Sequence, residues 1–141
     1  MGANELAIVV SAGDTDLVGY VYHANFFRFM EAARWVYLRR VVPDSVDVSL
    51  VALRTVVRSA SGEFMKPVLF GETLVIDVEV VHVGVSSYRL AYEFHVSQRR
   101  ETVARGSSVQ VYLNKTRTRS MRVPDELRAA LGRARHDRPA S

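Results

Sequence analysis

The sequence predicts a single α+β domain in which one long helix is covered by an antiparallel sheet. Three observations carry that prediction. Residues 24–41 repeat their apolar side chains with a helical period, three later runs alternate with a period of two, and short glycine-marked joints separate those runs. The chain of 141 residues, 48% hydrophobic and 24% charged, suits one globular domain that buries most of its surface. Global disorder is excluded by that apolar content. With no cysteine, a disulfide scaffold and a thiolate metal site are excluded too.

Glu5 to Ala12 reads as a first strand, and Gly13 to Gly19 as a polar turn region. From Ala24 to Val41, Phe26, Phe29, Met30, Ala33, Val36, Tyr37 and Val41 fall on one face, with Phe27 and Leu38 at its margin. Arg34 sits near the edge of that face. Trp35 sits on the polar side, where a subunit contact is one way to cover it. Pro43 and Asp44 stop the helix. Val51 to Ser59 reads as a less regular strand. Leu74, Ile76, Val78 and Val80 alternate with more polar neighbours, as do Tyr88, Leu90, Tyr92, Phe94 and Val96. In the last run Val103, Val109, Val111 and Leu113 share a parity and are expected to face the core. Gly71-Glu72, Gly84 and 98–100 mark the joints. Pro124 to Leu131 reads as a short terminal helix. The domain is therefore placed at residues 1–131, with 132–141 expected to be a disordered basic tail.

Charge is uneven. From Lys115 onward there are eight basic residues against three acidic ones, whereas the body before it is nearly neutral. A basic solvated tail without interleaved aromatic residues argues against nucleic acid as partner. No apolar run approaches the roughly 20 residues needed to span a bilayer, and no secretory signal opens the chain. A cytoplasmic protein is expected.

The densest chemical cluster is Asp14-Thr15-Asp16-Leu17-Val18-Gly19-Tyr20-Val21-Tyr22-His23-Ala24-Asn25, directly before the long helix. A helix start offers unpaired N–H groups and a partial positive charge, which can stabilise an oxyanion. A carboxylate on a loop folding back toward it can attack a carbonyl or activate water. The same residues could equally make turns and cap the helix. Asp14, Asp16 and His23 do not form a convincing metal-ligand set, and no G-x-S-x-G elbow is present. Glu31, with Arg28 and Arg34 nearby, is expected to form an ion pair.

The segment from Asp14 to Arg39 resembles the signature of the 4-hydroxybenzoyl-CoA thioesterase family, which includes the short acyl-CoA thioesterases encoded with the Tol–Pal system. The family pattern is roughly D-x-D-x-x-G-x-V-(Y/W)-(H/Y)-x-N-(Y/F), and Asp14, Asp16, Gly19, Val21, Tyr22, His23, Asn25 and Phe26 fit it. Met65-Lys66-Pro67, Gly71-Glu72, Ser87-Tyr88 and the run from Val123 to Leu127 are further landmarks. The resemblance covers about residues 5–131. It implies a hot-dog fold, a homodimer or homotetramer with the site at a subunit interface, and hydrolysis of an acyl thioester without a cofactor or metal. It implies Asp16 as nucleophile or general base, and the His23 N–H as the donor that polarises the thioester carbonyl, with the imidazole assisting. Gly19, Tyr22, Asn25 and Ser87 are implied to shape the site and bind substrate. A hot-dog hydratase or dehydratase, or a non-catalytic acyl-thioester-binding module, are the alternatives.

In one departure, the benzoyl-CoA branch places basic residues before its Ser-aromatic pair, whereas Gly84-Val85-Ser86 stand there here. The grip on CoA would then fall to Arg89, Arg99, Arg100, Lys115 or Arg117. Otherwise the acyl-pantetheine arrives on an acidic acyl carrier protein, attracted by the basic stretch from Lys115 to Arg122.

Overall fold

In the computed structural model, which describes residues 4–137, strand β1 (Glu5–Val9) leads through a 3-10 turn (Ala12–Asp14) to helix α1 (Ala24–Val41). A short helix α2 (Val48–Leu53) follows, then strands β2 (Thr55–Phe64), β3 (Thr73–Val83), β4 (Ser87–Val96) and β5 (Glu101–Tyr112). Helix α3 (Asp125–Asp137) closes the described chain. The five strands form one sheet in the order β1-β3-β4-β5-β2, every neighbour antiparallel. The α+β class and the single long helix are as predicted.

Helix α1 has the predicted bounds because its apolar stripe keeps the 3.6 period for its whole length. Phe26, Phe29, Met30, Ala33 and Tyr37 are buried against the sheet. Leu38, placed at the margin by the helical wheel, is fully enclosed, and burial of such a side chain contributes about 1.5–3 kcal/mol. Trp35 is only half-buried, and the Arg34 guanidinium lies over its ring. Where α1 presses on the sheet, a Cβ on Gly106 would come within 2.9 Å of the Ser61 carbonyl oxygen and 3.0 Å of the Met30 sulfur. Only glycine lets the helix approach so closely there.

The inward alternation predicted for β3 and β4 is present: Leu74, Ile76, Val78 and Val80, and Tyr88 through Val96 at every second residue, are buried. β5 is different. Phe94 pairs with Ala104 but His95 pairs with Thr102, so Val103 is an extra residue in the strand. Such a bulge shifts every later side chain to the other face. Ala104, Ser108, Gln110 and Tyr112 therefore point into the core, while Val109 and Val111, expected inside, are only half-buried.

Three other elements depart from expectation. The stretch read as a strand from Val51 is helical as far as Leu53, because the Asp47 carboxylate accepts from the Ser49 and Leu50 N–H groups and caps α2. The first strand ends at Val9, where Ser11 and Asp14 organise the 3-10 turn. Helix α3 runs past Leu131 to Asp137, since Leu127, Ala130, Leu131 and Ala134 continue one apolar stripe against the core. The rest of the expected tail, residues 138–141, lies outside the described residues. No helix among the described residues is long and apolar enough to cross a membrane.

Candidate active site

The loop before α1 is a set of interlocked turns. The Asp16 N–H donates to the Tyr20 carbonyl at 2.8 Å, and Gly19 donates back to the Asp16 carbonyl at 3.1 Å. The reversal needs a positive φ, which Gly19 supplies at 90° without a Cβ clash. Asp16 Oδ1 accepts from the Val18 N–H at 2.9 Å and the Tyr20 N–H at 3.2 Å, which fixes the carboxylate in an Asx turn. Its Oδ2 accepts no hydrogen bond among the described residues. One oxygen holds the group in place while the other stays available.

Asp14 has a different role. Its carboxylate accepts from the Ser11 N–H and hydroxyl, both at 3.0 Å, and pairs with Arg28 on the first turns of α1. Burial pulls its carboxyl upward, but the Ser11 hydrogen bonds and the Arg28 guanidinium outweigh that and hold it below the usual carboxylate range. Arg28 is thus taken by Asp14 and Arg34 turns inward, so Glu31 has neither as the ion-pair partner expected from spacing. The Asp14 carbonyl accepts from the Tyr22 N–H at 3.2 Å and the Asn25 side chain at 2.8 Å.

His23 occupies the N-cap position of α1. Its side chain makes no capping bond, and its own N–H and that of Ala24 have no acceptor among the described residues. The donors expected at a helix start are therefore present and unspent. Asp16, His23, Tyr20, Val21 and Phe26 line a cavity of about 310 Å³ together with Phe64, Met65, Lys66, Pro67 and Val68. The Phe64 ring lies 5.1 Å from Phe26 and 6.0 Å from His23, centroid to centroid.

The second wall of this cavity was not singled out as a site in the sequence. The Val21 N–H donates to the Val68 carbonyl at 2.8 Å, so the connection from β2 to β3 runs beside the Asp16 loop. Arg99 braces that connection: it donates to both Glu72 carboxylate oxygens, to the Pro67 carbonyl and to Glu101. The hydrogen bond from Arg99 holds the Glu72 carboxyl below its ordinary range despite partial burial. Arg99, a candidate for gripping CoA, is thus committed to structure, and Arg117 donates to the Leu53 carbonyl. Arg89, Arg100 and Lys115 are exposed.

Of the residues the resemblance nominated, Asp16 and His23 share the cavity, Gly19 makes the turn, and the Tyr22 ring packs at a tilt against His23 with centroids 4.5 Å apart. Asn25 points its amide at Asp14. Ser87 opens β4, at the opposite end of that strand from Phe94, which packs on Phe26 by the cavity. Within one chain it is not part of this site. No group of three or more His, Asp or Glu side chains converges as a metal site among the described residues.

A carboxylate with one free oxygen, unspent helix-start donors and an antiparallel sheet around one helix define the class of a hot-dog thioesterase, and residues 10–131 match the thioesterase-like superfamily. The chain belongs to that superfamily. Among curated relatives, the Bacillus subtilis protein YneP is 27% identical over 99 residues, covering 68% of each chain. The acyl-CoA thioesterase YbgC of Helicobacter pylori is 32% identical over 69 residues, 48% of each chain. A thioesterase of Thermus thermophilus, crystallised with coenzyme A and zinc, superposes with a TM-score of 0.78 at 28% identity, covering 90% of this chain and 95% of its own.

Proposed function

We propose that this chain hydrolyses acyl thioesters to a free acid and a thiol, with Asp16 and the N-terminus of α1 as its working parts. The observation that carries this reading is that Asp16 and His23 line one cavity, the first with a free carboxylate oxygen and the second with an unspent N–H. A thioester carbonyl seated against the His23 N–H gains negative charge on oxygen as it is attacked, and the helix terminus favours that charge. Asp16 Oδ2 either attacks the carbonyl carbon, expelling the thiolate and leaving a mixed anhydride that water opens, or removes a proton from the attacking water. Either way one water is consumed, and the thiolate leaves without strong protonation.

The acyl group arrives on CoA or on an acyl carrier protein, both cytoplasmic carriers, and that is the compartment we assign. A homodimer fits the edge of the sheet: β2 is exposed from Val57 to Phe64, an unpaired edge that antiparallel pairing with a second copy would cover. Such pairing sets the Phe64 end of one β2 beside the Thr55 end of the other. Thr55 neighbours Tyr112, the residue after Ser87's partner Val111, and this is how Ser87 of a second copy would approach the site.

The deciding experiment follows thiol release from a panel of acyl-CoA and acyl-carrier substrates. Turnover of at least one substrate that is lost in Asp16→Asn supports the reading. Binding without thiol release across the panel would leave a binding module or a hydratase, and loss of an enoyl chromophore on hydration would pick out the second.

A further inference from the structure

The bulge at Val103 has placed polar side chains where a dry core would be expected. Ser108 and Gln110 of β5 face inward, fully buried, beside Tyr88 and Tyr92 of β4. Arg34, only 6% exposed, enters the same space from α1. Its Nη1 donates to the Tyr92 hydroxyl at 3.3 Å, that hydroxyl lies 2.7 Å from Ser108 Oγ, and Gln110 donates to the same Oγ. The network is incomplete. Arg34 Nε and Gln110 Oε1 are buried without a hydrogen-bond partner. Among the described residues no carboxylate lies within ion-pair reach of Arg34. A buried cation without a counter-charge is costly, and a native structure keeps one where something completes it.

Against this network lies a second cavity of about 240 Å³. Phe27, Met30, Val57 and Ala60 make its apolar walls, and Arg34 and Ser108 its polar end. Glu31 also lines it but is solvent-exposed, where its charge is screened. Phe27 packs edge-on against Phe64 at 6.1 Å, and Phe64 lines the Asp16 cavity, so this aromatic pair stands between the two spaces along one side of α1.

Taking the thioesterase reading as its basis, we infer that the second cavity receives the far end of the acyl group and that its substrate class is acyl thioesters ending in a free carboxylate. A terminal carboxylate would supply the counter-charge that Arg34 lacks and accept from Arg34 Nε and the Ser108 hydroxyl, the polar groups at the cavity's end. A methyl terminus would leave Arg34 Nε unpaired, and a neutral hydroxyl would leave the charge unanswered. The distance selects a medium chain. His23 and Arg34 are about 16 Å apart along the helix axis at a rise of 1.5 Å per residue. The arginine side chain leans back toward the helix N-terminus and shortens that span.

The test compares kcat/KM for suberyl-CoA and octanoyl-CoA, two thioesters of equal chain length, on the full-length protein. The wild type is expected to favour suberyl-CoA by about tenfold or more, in keeping with one charge-assisted contact. Arg34→Met, similar in length but uncharged, is expected to bring the ratio to about one or below. Ser108→Ala, a milder change that removes the other polar group at the cavity's end, is expected to lower the ratio several-fold. A wild type that prefers octanoyl-CoA, or a ratio unmoved by both variants, overturns the inference while leaving thioester hydrolysis intact. If neither compound is turned over, the wider substrate panel judges the thioesterase reading, and calorimetric binding of the same two compounds decides the subsite: equal affinity for both rejects it.

Discussion

Asn25, in the first turn of α1, donates its side-chain N–H to the main-chain carbonyl of Asp14 at 2.8 Å, and so ties the loop that carries Asp16 to the helix end that carries His23. Neither residue needs to touch a substrate for this bond to matter. It sets the distance between the carboxylate and the helix-start donors, a relationship in which an error of about 1 Å can cost on the order of a hundredfold in rate. Asn25→Ala is therefore expected to lose about 1 kcal/mol of stability, the worth of one hydrogen bond. Its kcat should fall at least about tenfold, with a smaller change in KM. Denaturant melts and steady-state kinetics on the same preparation check both parts.

Asp16 and Asp14 stand two residues apart in one motif, yet their surroundings separate them. Asp16→Asn is expected to reduce kcat by about a hundred- to ten-thousand-fold with little change in stability. Asp14→Asn, which breaks the Arg28 and Ser11 contacts, is expected to cost stability first and activity second. Equal and small losses from both changes would remove Asp16 from the chemistry. Single turnovers in heavy-oxygen water then separate its two roles, because a mixed anhydride opened at the protein carbonyl leaves label in Asp16, whereas water attack on the thioester does not.

The folded state holds the carboxyls of Asp14 and Glu72 below their ordinary values, the first largely through Ser11 and Arg28 against the pull of burial, the second through Arg99. A carboxyl lowered by folding stabilises the protein while ionised. The gain is complete above the unfolded value of about 4 and is lost as pH falls through the lowered folded value. Urea midpoints should therefore hold steady down to about pH 4 and drop below it. Glu72→Gln should flatten that acid limb, and a limb identical to the wild type's would show that Arg99 contributes nothing there.

Carrier choice is open to a simple comparison. With Arg99 and Arg117 engaged in structural contacts, removal of the CoA 3′-phosphate is expected to change kcat/KM by less than about tenfold, or roughly 1.4 kcal/mol. For an acidic acyl carrier protein, kcat/KM should fall steeply with added salt, and neutralising the exposed Lys115 and Arg119 together should weaken it further. A large loss with dephospho-CoA and no salt effect with the carrier would identify CoA as the partner, gripped through other cations.

Much of the architecture could be read from period alone. The stripe of α1 and the alternation of β3 and β4 are local signals, and they survive because packing uses them unchanged. Two failures have local causes that the pattern concealed. Residues 51–53 read as strand, while the Asp47 cap that makes them helical was the cue available. A single extra residue, Val103, inverted the faces of β5 with no change in composition. The near half of the site, Asp16 to Asn25, lies in one continuous motif and was legible for that reason. Phe64, Met65 and Val68 reach the same cavity only through the pairing of distant segments, and the polar network around Arg34 beside the second cavity forms only through the inversion of β5, so neither could be seen along the chain.

The inverted strand also means that the wetness of this interior is a matter of counting. A chain shortened by one residue at Val103 would keep the sheet order and the helix, yet would turn Val109 and Val111 inward and Ser108 and Gln110 out to solvent. Arg34 would then have no polar floor to rest on. Lineages built on this scaffold could thus pass between a polar and an oily chamber by one codon gained or lost in β5, without a substitution in the loop that carries Asp16.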